Sequence, residues 1–193
     1  MIFVIDTSSA TSAIALLGPS GAVIREELHA SGRSFDLPAR FRPMTGQEPI
    51  SKVAVATGPG SFTGLRVGVS FGLGLAVGLA VPIVPLRSLR IQLARTDGDV
   101  TAVAEAGRGR VYFERRDGEH GLAEVEEMPA ERPLVGWLRP ATLALVLTAG
   151  LRFVPDSDLR SFGRAAAHIL ETASEVAYGS LQLEYRQSFT PRV

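Results

Sequence analysis

The sequence predicts an α/β protein made of two duplicated halves, each a mixed sheet flanked by helices. Two observations carry that expectation. Strand-like segments at 1–6, 11–17 and 22–28 open the chain, with Gly18-Pro19-Ser20-Gly21 as the turn between the last two. A second such trio follows about a hundred residues later at 100–104, 110–115 and 122–127, with Asp117-Gly118 as its turn. An acidic residue closes the first strand of each trio, Asp6 in one and Glu105 in the other, which indicates an internal duplication. The second observation is what comes after each trio. The first is followed by a strand at 52–57, a helix at 62–80, a strand at 82–86 and a helix at 89–95. The second is followed by a helix at 133–138, an apolar strand at 143–148 and a helix at 159–178. A β-meander continued by alternating helices and strands gives a mixed sheet covered by helices. The polar break Thr96-Asp97-Gly98-Asp99 divides the chain into 1–96 and 97–193.

Composition narrows the classes. Of 193 residues, 46% are hydrophobic and only 7% aromatic, so the core is aliphatic. Lys+Arg and Asp+Glu both number 20, which leaves no overall field to draw nucleic acid or membrane. Any service to RNA chemistry therefore runs through another subunit. Cysteine is absent, so disulfides, thiolate catalysis and cysteine metal sites are excluded, in keeping with a cytoplasmic protein. The opening Met1-Ile2-Phe3-Val4-Ile5-Asp6 has no basic region and does not read as a signal peptide.

The segment 53–68 is the most informative. Val53-Ala54-Val55-Ala56 reads as a buried strand, and Gly58-Pro59-Gly60 ends it, the two glycines permitting positive φ beside the proline. Ser61, with Thr63 as a competitor, is placed to cap a helix whose first amides point outward. Three phosphate or nucleophile motifs fail on it. There is no Gly-Lys-Ser/Thr for a P-loop, Gly58, Gly60 and Gly64 are one residue too long for a dinucleotide turn, and Ser61 is misplaced for a nucleophile elbow. Ser61 also lacks a base, since His29, His120 and His168 are scattered, so it reads as a cap. The helix carries Gly64, Gly68 and Gly72 at every fourth position, with Gly74 and Gly78 beyond. Each costs about 1 kcal/mol against alanine in a helix, so a sheet, a helix or a second chain must approach closely. Residues 67–86 are free of charge, which raises a membrane span. The preceding strand and the prolines at 82 and 85 favour a fully buried helix in an α/β layer instead.

The duplicated plan is that of the actin/Hsp70-like (ASKHA) fold, and the motifs are more specific still. Ile5-Asp6-Thr7-Ser8, the block from Thr57 to Gly68, Pro82-Ile83-Val84-Pro85-Leu86-Arg87-Ser88-Leu89 and Gly109-Arg110-Val111-Tyr112-Phe113 together resemble the TsaB (YeaZ) family. The similarity is good to about residue 115 and weak beyond.

That resemblance implies a non-catalytic subunit required for threonylcarbamoyl transfer to the anticodon-adjacent adenosine of tRNA. It implies a heterodimer with the larger homologous TsaD subunit, assembly with the TsaE ATPase, self-association when alone, only indirect contact with tRNA, and no membrane. It places the partner interface on Ser61, Phe62, Thr63, Gly64, Arg66, Gly68 and Gly72, with the glycine ridge outermost and Arg66 reaching across. It leaves Asp6, Thr7, Ser8 and Glu105 as a vestigial nucleotide site, no intrinsic cofactor, and at most weak ATP or ADP at the subunit junction. The residues fit a chain without chemistry of its own: no histidine has a partner at helical spacing for a metal, and Asp6 reads first as a cap for the Thr7-Ser8 turn.

The family carries a long helix between 28 and 52, whereas Ser31 to Pro43 here is short and holds two prolines, so a stunted helix is expected. Phe35, Phe41 and Met44 are then either anchors for a partner or satellite core residues. Two other classes share the frame: a stand-alone small-molecule kinase, and a metallopeptidase that would need ligands this chain lacks.

Overall fold

A computed structural model of the chain describes residues 1–30 and 35–184. Two sheets form, and both contain the expected meander. In the first, β1 (Ile2–Asp6), β2 (Thr11–Leu17), β3 (Val23–Ala30), β4 (Lys52–Gly58) and β5 (Ile83–Arg87) run in the order β3-β2-β1-β4-β5. β1 pairs antiparallel with β2 and parallel with β4, in register Ile5↔Ile14 and Ile5↔Val55. In the second, β6 (Thr101–Gly107), β7 (Arg110–Arg115), β8 (His120–Glu124) and β9 (Leu134–Trp137) run β8-β7-β6-β9, with β9 parallel to β6. Asp6 and Glu105 occupy equivalent places, four residues beyond Ile2 and Thr101, which pair with the first matched residues of the parallel neighbours.

Strand alternation sorts the core into layers. Phe3, Ile5, Ile14, Leu16, Val53 and Val55 face α1 (Leu37–Thr45) and α2 (Phe62–Leu79). Val4, Ala13, Ala15, Leu17, Ala54 and Ala56 face the opposite way. There they meet Ile91 and Ala94 of α3 (Ser88–Ala94) and Phe162, Ala165 and Ala166 of α5 (Phe162–Leu170). Central strands covered on both faces are apolar throughout, which explains the unbroken Val53-Ala54-Val55-Ala56 run. α3 also packs Leu89 and Leu93 on the second sheet, whose outer face carries α4 (Pro140–Thr148).

Two segments of the second half exchange their expected states. Residues 134–137 are strand β9 rather than a helix, and 140–148 are helix α4 rather than a strand. A short apolar run has no periodicity to distinguish the two. Pro140 in the first turn is the signal that favours a helix, because its missing amide costs nothing there. Thr142 and Val146, one turn apart, are the buried pair. The final helix is also shorter than expected, ending at Leu170.

The short α1 forms as expected. Asp36 accepts the Ala39 amide at 3.0 Å, and Pro43 lies inside the helix. Phe35, Phe41 and Met44 are satellite core residues. Met44 is buried, and the Phe41 ring meets Phe3 edge-on at 5.1 Å.

α5 belongs to the second half by sequence but seats on the first sheet. Glu26 of β3 accepts the amides of Phe162 and Gly163 at 3.0 and 2.8 Å, a carboxylate at a helix N-terminus. The chain then runs back along β5 and α2. Val176 donates its amide to Ile83, the Tyr178 hydroxyl lies 2.8 Å from the Val81 carbonyl, and the Glu184 amide donates to Thr57 at 2.8 Å.

The largest departure from expectation concerns α2. Its glycine ridge is not the outer surface. A Cβ at Gly64 would overlap the Thr7 carbonyl, one at Gly68 the Thr7 hydroxyl, and one at Gly72 the Val55 side chain. The three glycines face this chain's own sheet, so the required close approach is internal. Neither is the helix fully buried: Phe62 and Val77 are each 53% exposed, and Gly74 and Gly78 have open space beside them.

Two substitutions separate the faces. Gly72→Leu drives a side chain into Val55 and Ile5 and should cost about 1–3 kcal/mol or more through overpacking. Gly74→Ala, in open space, should add up to about 1 kcal/mol of helix stability. Urea unfolding of both variants checks the assignment, and equal effects would refute it.

Candidate partner-binding helix and its turn

The turn before α2 is fixed by backbone and hydroxyl contacts. Gly58 adopts φ +113°, and the Gly58–Pro59 peptide is cis. Gly60 does not need positive φ. It is glycine because a Cβ would overlap the Ser8 carbonyl, which accepts the Ser61 amide at 2.6 Å. Ser61 caps the helix as read from sequence, accepting the Gly64 amide at 3.3 Å. Two residues the sequence reading passed over hold the other side. Buried Ser88 accepts the Gly58 amide at 3.1 Å, and the Thr57 hydroxyl donates to the Leu86 carbonyl at 3.2 Å. Small hydroxyl residues in a βαβ turn carry no sequence signal beyond their type.

Asp6, Thr7 and Ser8 are brought together with this turn. The Thr7 hydroxyl donates to the Gly64 carbonyl at 2.7 Å, tying the end of β1 to the first turn of α2. The Ser8 amide donates to Asp6 Oδ1 at 2.8 Å, so Asp6 holds the turn. Asp6 Oδ2 and Ser8 Oγ are buried without a hydrogen-bond partner among the described residues. Burial pushes the Asp6 carboxyl above its ordinary value, and the nearby Ser8 hydroxyl and amide offset this only in part. Glu105 is not gathered into this group: its carboxylate accepts the Arg139 amide at 2.7 Å, at the start of α4.

The exposed side of α2 is a second ridge. Ser70, Gly74 and Gly78 are exposed at every fourth position. About 200° of helix rotation separates Gly72 from Gly74, so this ridge lies nearly opposite the buried one. Val67, Val77 and Leu79 stand beside it, 48%, 53% and 44% exposed. At the N-terminal end the Arg66 guanidinium lies over the Phe62 ring, 3.7 Å from its centroid. Arg66 is therefore stacked locally instead of extended outward. Of the residues expected at an interface, Phe62, Thr63 and Arg66 are exposed, Ser61 and Gly64 are half-buried, and Gly68 and Gly72 are buried. The outer ridge was legible as a repeat of small residues, but the glycine-only spacing drew attention to the wrong side.

Known proteins fit this geometry. Residues 45–128 match the family model of TsaD, tRNA N6-adenosine threonylcarbamoyltransferase. The TsaB protein of Bacillus subtilis, a tRNA threonylcarbamoyladenosine biosynthesis protein, is 33% identical over 147 residues. That match takes in 71% of this chain and 64% of the Bacillus protein. The chain is similar to the TsaB (YeaZ) family. Escherichia coli TsaB is 35% identical over 92 residues, 45% of this chain and 40% of that protein. The solved structure of YeaZ from Pseudomonas aeruginosa superposes with a TM-score of 0.68 at 20% identity, over 95% of this chain and 98% of that one. The actin-like fold expected from the duplicated meanders is thus the fold of the family. The chain spans just under two thirds of the Bacillus relative's length.

The raised Asp6 value has a consequence for stability. The folded chain favours the protonated carboxyl, so its contribution is fully present below the unfolded-state value of about 3.9 and is lost as pH rises through the higher folded value. Asp6→Asn keeps the Oδ1 acceptor for Ser8 and removes this loss. Its melting midpoint at pH 7 should exceed the parent's, by about 2–4 °C per 1 kcal/mol relieved. Scanning calorimetry from pH 4 to 8 should show the gap closing toward acid, and a gap that is constant with pH would rule this account out.

Proposed function

We propose that the chain is a non-catalytic subunit required for threonylcarbamoyl transfer to the anticodon-adjacent adenosine of tRNA. It acts in the cytoplasm as the heterodimer partner of a TsaD-like subunit, with a TsaE-like ATPase joining the assembly. Similarity to TsaB supports the pathway, and the match to the TsaD model supports a partner of shared ancestry.

The observation that carries the docking role is the bare outer ridge of α2. Eighteen residues with Arg66 as the one charge present Ser70, Gly74 and Gly78 to solvent, flanked by valines. Small residues at that spacing let a second helix backbone come close, and apolar flanks are then buried by it. The interface read from sequence is accordingly revised. Phe62, Thr63 and Arg66 stay, Ser61 serves as the cap, and Gly64, Gly68 and Gly72 are withdrawn because they face the sheet. Val67, Ser70, Gly74, Val77 and Gly78 take their place. Asp6, Thr7 and Ser8 serve in this reading as the mount for α2.

Gly74→Leu should abolish co-purification with the TsaD-like subunit while leaving circular dichroism unchanged, because none of the described residues occupies the space beside Gly74. In a strain lacking the gene, nucleoside digests of bulk tRNA should lose threonylcarbamoyladenosine, and the parent gene but not the Gly74→Leu form should restore it. Undiminished modified nucleoside in the deletion strain would defeat the proposal.

A further inference from the structure

A charged cluster lies beside the turn that precedes α2, where the two halves meet. Glu114 of β7 is completely buried. Among the described residues its carboxylate is met from the first half, by Arg87 at 3.1 Å and by Arg90 in closer contact. Arg87 ends β5 and Arg90 lies one turn into α3. A carboxylate taken wholly out of water requires such neutralisation, so Glu114 fixes both arginines in place. The two arginine side chains are nevertheless 40% and 37% exposed. Two positive charges stand against one buried negative charge, which leaves one positive charge at the surface.

The carboxylate that balances it is Glu184. Arg87 reaches it with Nε and Nη2, each 3.4 Å from one carboxylate oxygen. This is a two-pronged arrangement, but long beside the 2.7–2.9 Å of a tight guanidinium–carboxylate pair. Glu184 is 32% exposed and comes from the segment that returns along β5. Its backbone anchor to Thr57 does not depend on the carboxylate.

We infer that the Arg87 guanidinium, held beside Arg90 on buried Glu114, is a docking fork for a carboxylate side chain of a partner protein, and that Glu184 occupies this fork in cis. Buried Glu114 keeps the fork assembled, while the long contact with Glu184 is the exchangeable one. The occupant seen in the structure defines the chemistry: a planar carboxylate presented from an extended backbone, which suits the guanidinium fork. The site sits at the junction of the halves and shares no residue with the outer ridge of α2, so it stands or falls apart from the docking role of that helix.

The test is a titration of the full chain, followed by NMR of the arginine Nε–H resonances. Hexaglutamate is the probe, with inorganic phosphate and a twelve-residue oligouridylate as comparison arms, in the parent and in Glu184→Gln. Glu184 is partly exposed, so the variant should fold normally, and a dispersed amide spectrum verifies this. The Arg87 and Arg90 resonances should shift with hexaglutamate, with a midpoint about three- to fivefold lower in Glu184→Gln, the scale of an exposed ion pair removed as competitor. Raising the salt concentration should weaken both titrations. Unmoved resonances or identical midpoints in the two proteins would overturn the inference. A stronger response to phosphate or oligouridylate would overturn it as well and give the fork to a phosphate-bearing ligand.

Discussion

The close seating of α2 on β1 and β4 is the constraint from which the rest of the molecule follows. Side chains normally hold a helix well away from a sheet. Here Gly64, Gly68 and Gly72 remove them, and the helix backbone comes down onto Thr7, Ile5 and Val55. That proximity lets the Thr7 hydroxyl reach the Gly64 carbonyl and lets the Ser8 carbonyl take the Ser61 amide. It is also why Gly60 must be glycine, since the turn passes directly over Ser8. The sharp bend between β4 and α2 therefore depends on contacts from β1 as much as on its own glycines and proline. A helix carrying so many glycines has little intrinsic stability, so its order comes from this contact, its cap at Ser61 and the returning segment at Tyr178.

How far the fold was legible follows from the same physics. Strands with clear alternation or firm punctuation, such as Thr11–Leu17 and Arg110–Arg115, were readable to the residue. The duplication was readable because Asp6 and Glu105 stand at equivalent places in β1 and β6. The exchange of states at 134–148 arose where every residue but Arg139 is apolar or small and neither period shows. Phe162–Leu170 could be recognised as a helix, but its seat on the first sheet could not. That depends on Glu26 reaching the amides of Phe162 and Gly163 across more than a hundred residues. At the candidate site the motif 57–68 was legible as a turn and capped helix, and its glycines as a demand for close approach. Spacing alone could not say which body does the approaching. Nor could it find Ser88 or Glu114, whose importance comes entirely from being buried beside groups distant in sequence.

The halves are held together by polar groups set into an aliphatic junction. Arg95 is buried in the loop after α3. It donates to Asp156 at 2.8 Å and to the Arg160 carbonyl at 3.0 Å, and its guanidinium lies 5.1 Å from the Trp137 ring centroid. The Trp137 indole donates to the other oxygen of Asp156 at 3.1 Å. Arg90 of the Arg87–Glu114–Arg90 cluster lies on α3 itself. Buried ion pairs of this kind add little net stability over an apolar contact of the same shape, but losing one partner strands a charge in the interior. Their effect is thus to penalise every other arrangement of α3 against the second sheet, which fixes how the two sheets face each other across an otherwise smooth aliphatic surface.

The two ridges of α2 make different demands on the same helix. The inner ridge is used up by the fold, and any side chain there must displace Thr7 or Val55. Among the described residues nothing packs against Gly74 or Gly78 of the outer ridge. Replacing Gly74 or Gly78 by alanine would stabilise the isolated chain, because a Cβ at either position meets nothing. Folding alone therefore gives no reason for glycine at these places, whereas it gives a compelling one at 64, 68 and 72. A residue that costs stability and meets none of the described residues is what the proposed docking surface calls for, since that surface requires the backbone itself to be reachable. Valines at 67 and 77 agree with that reading, since apolar side chains beside an accessible backbone gain only when another body covers them. The glycines that attract attention in the sequence build the platform, and the less conspicuous ones two positions along present it.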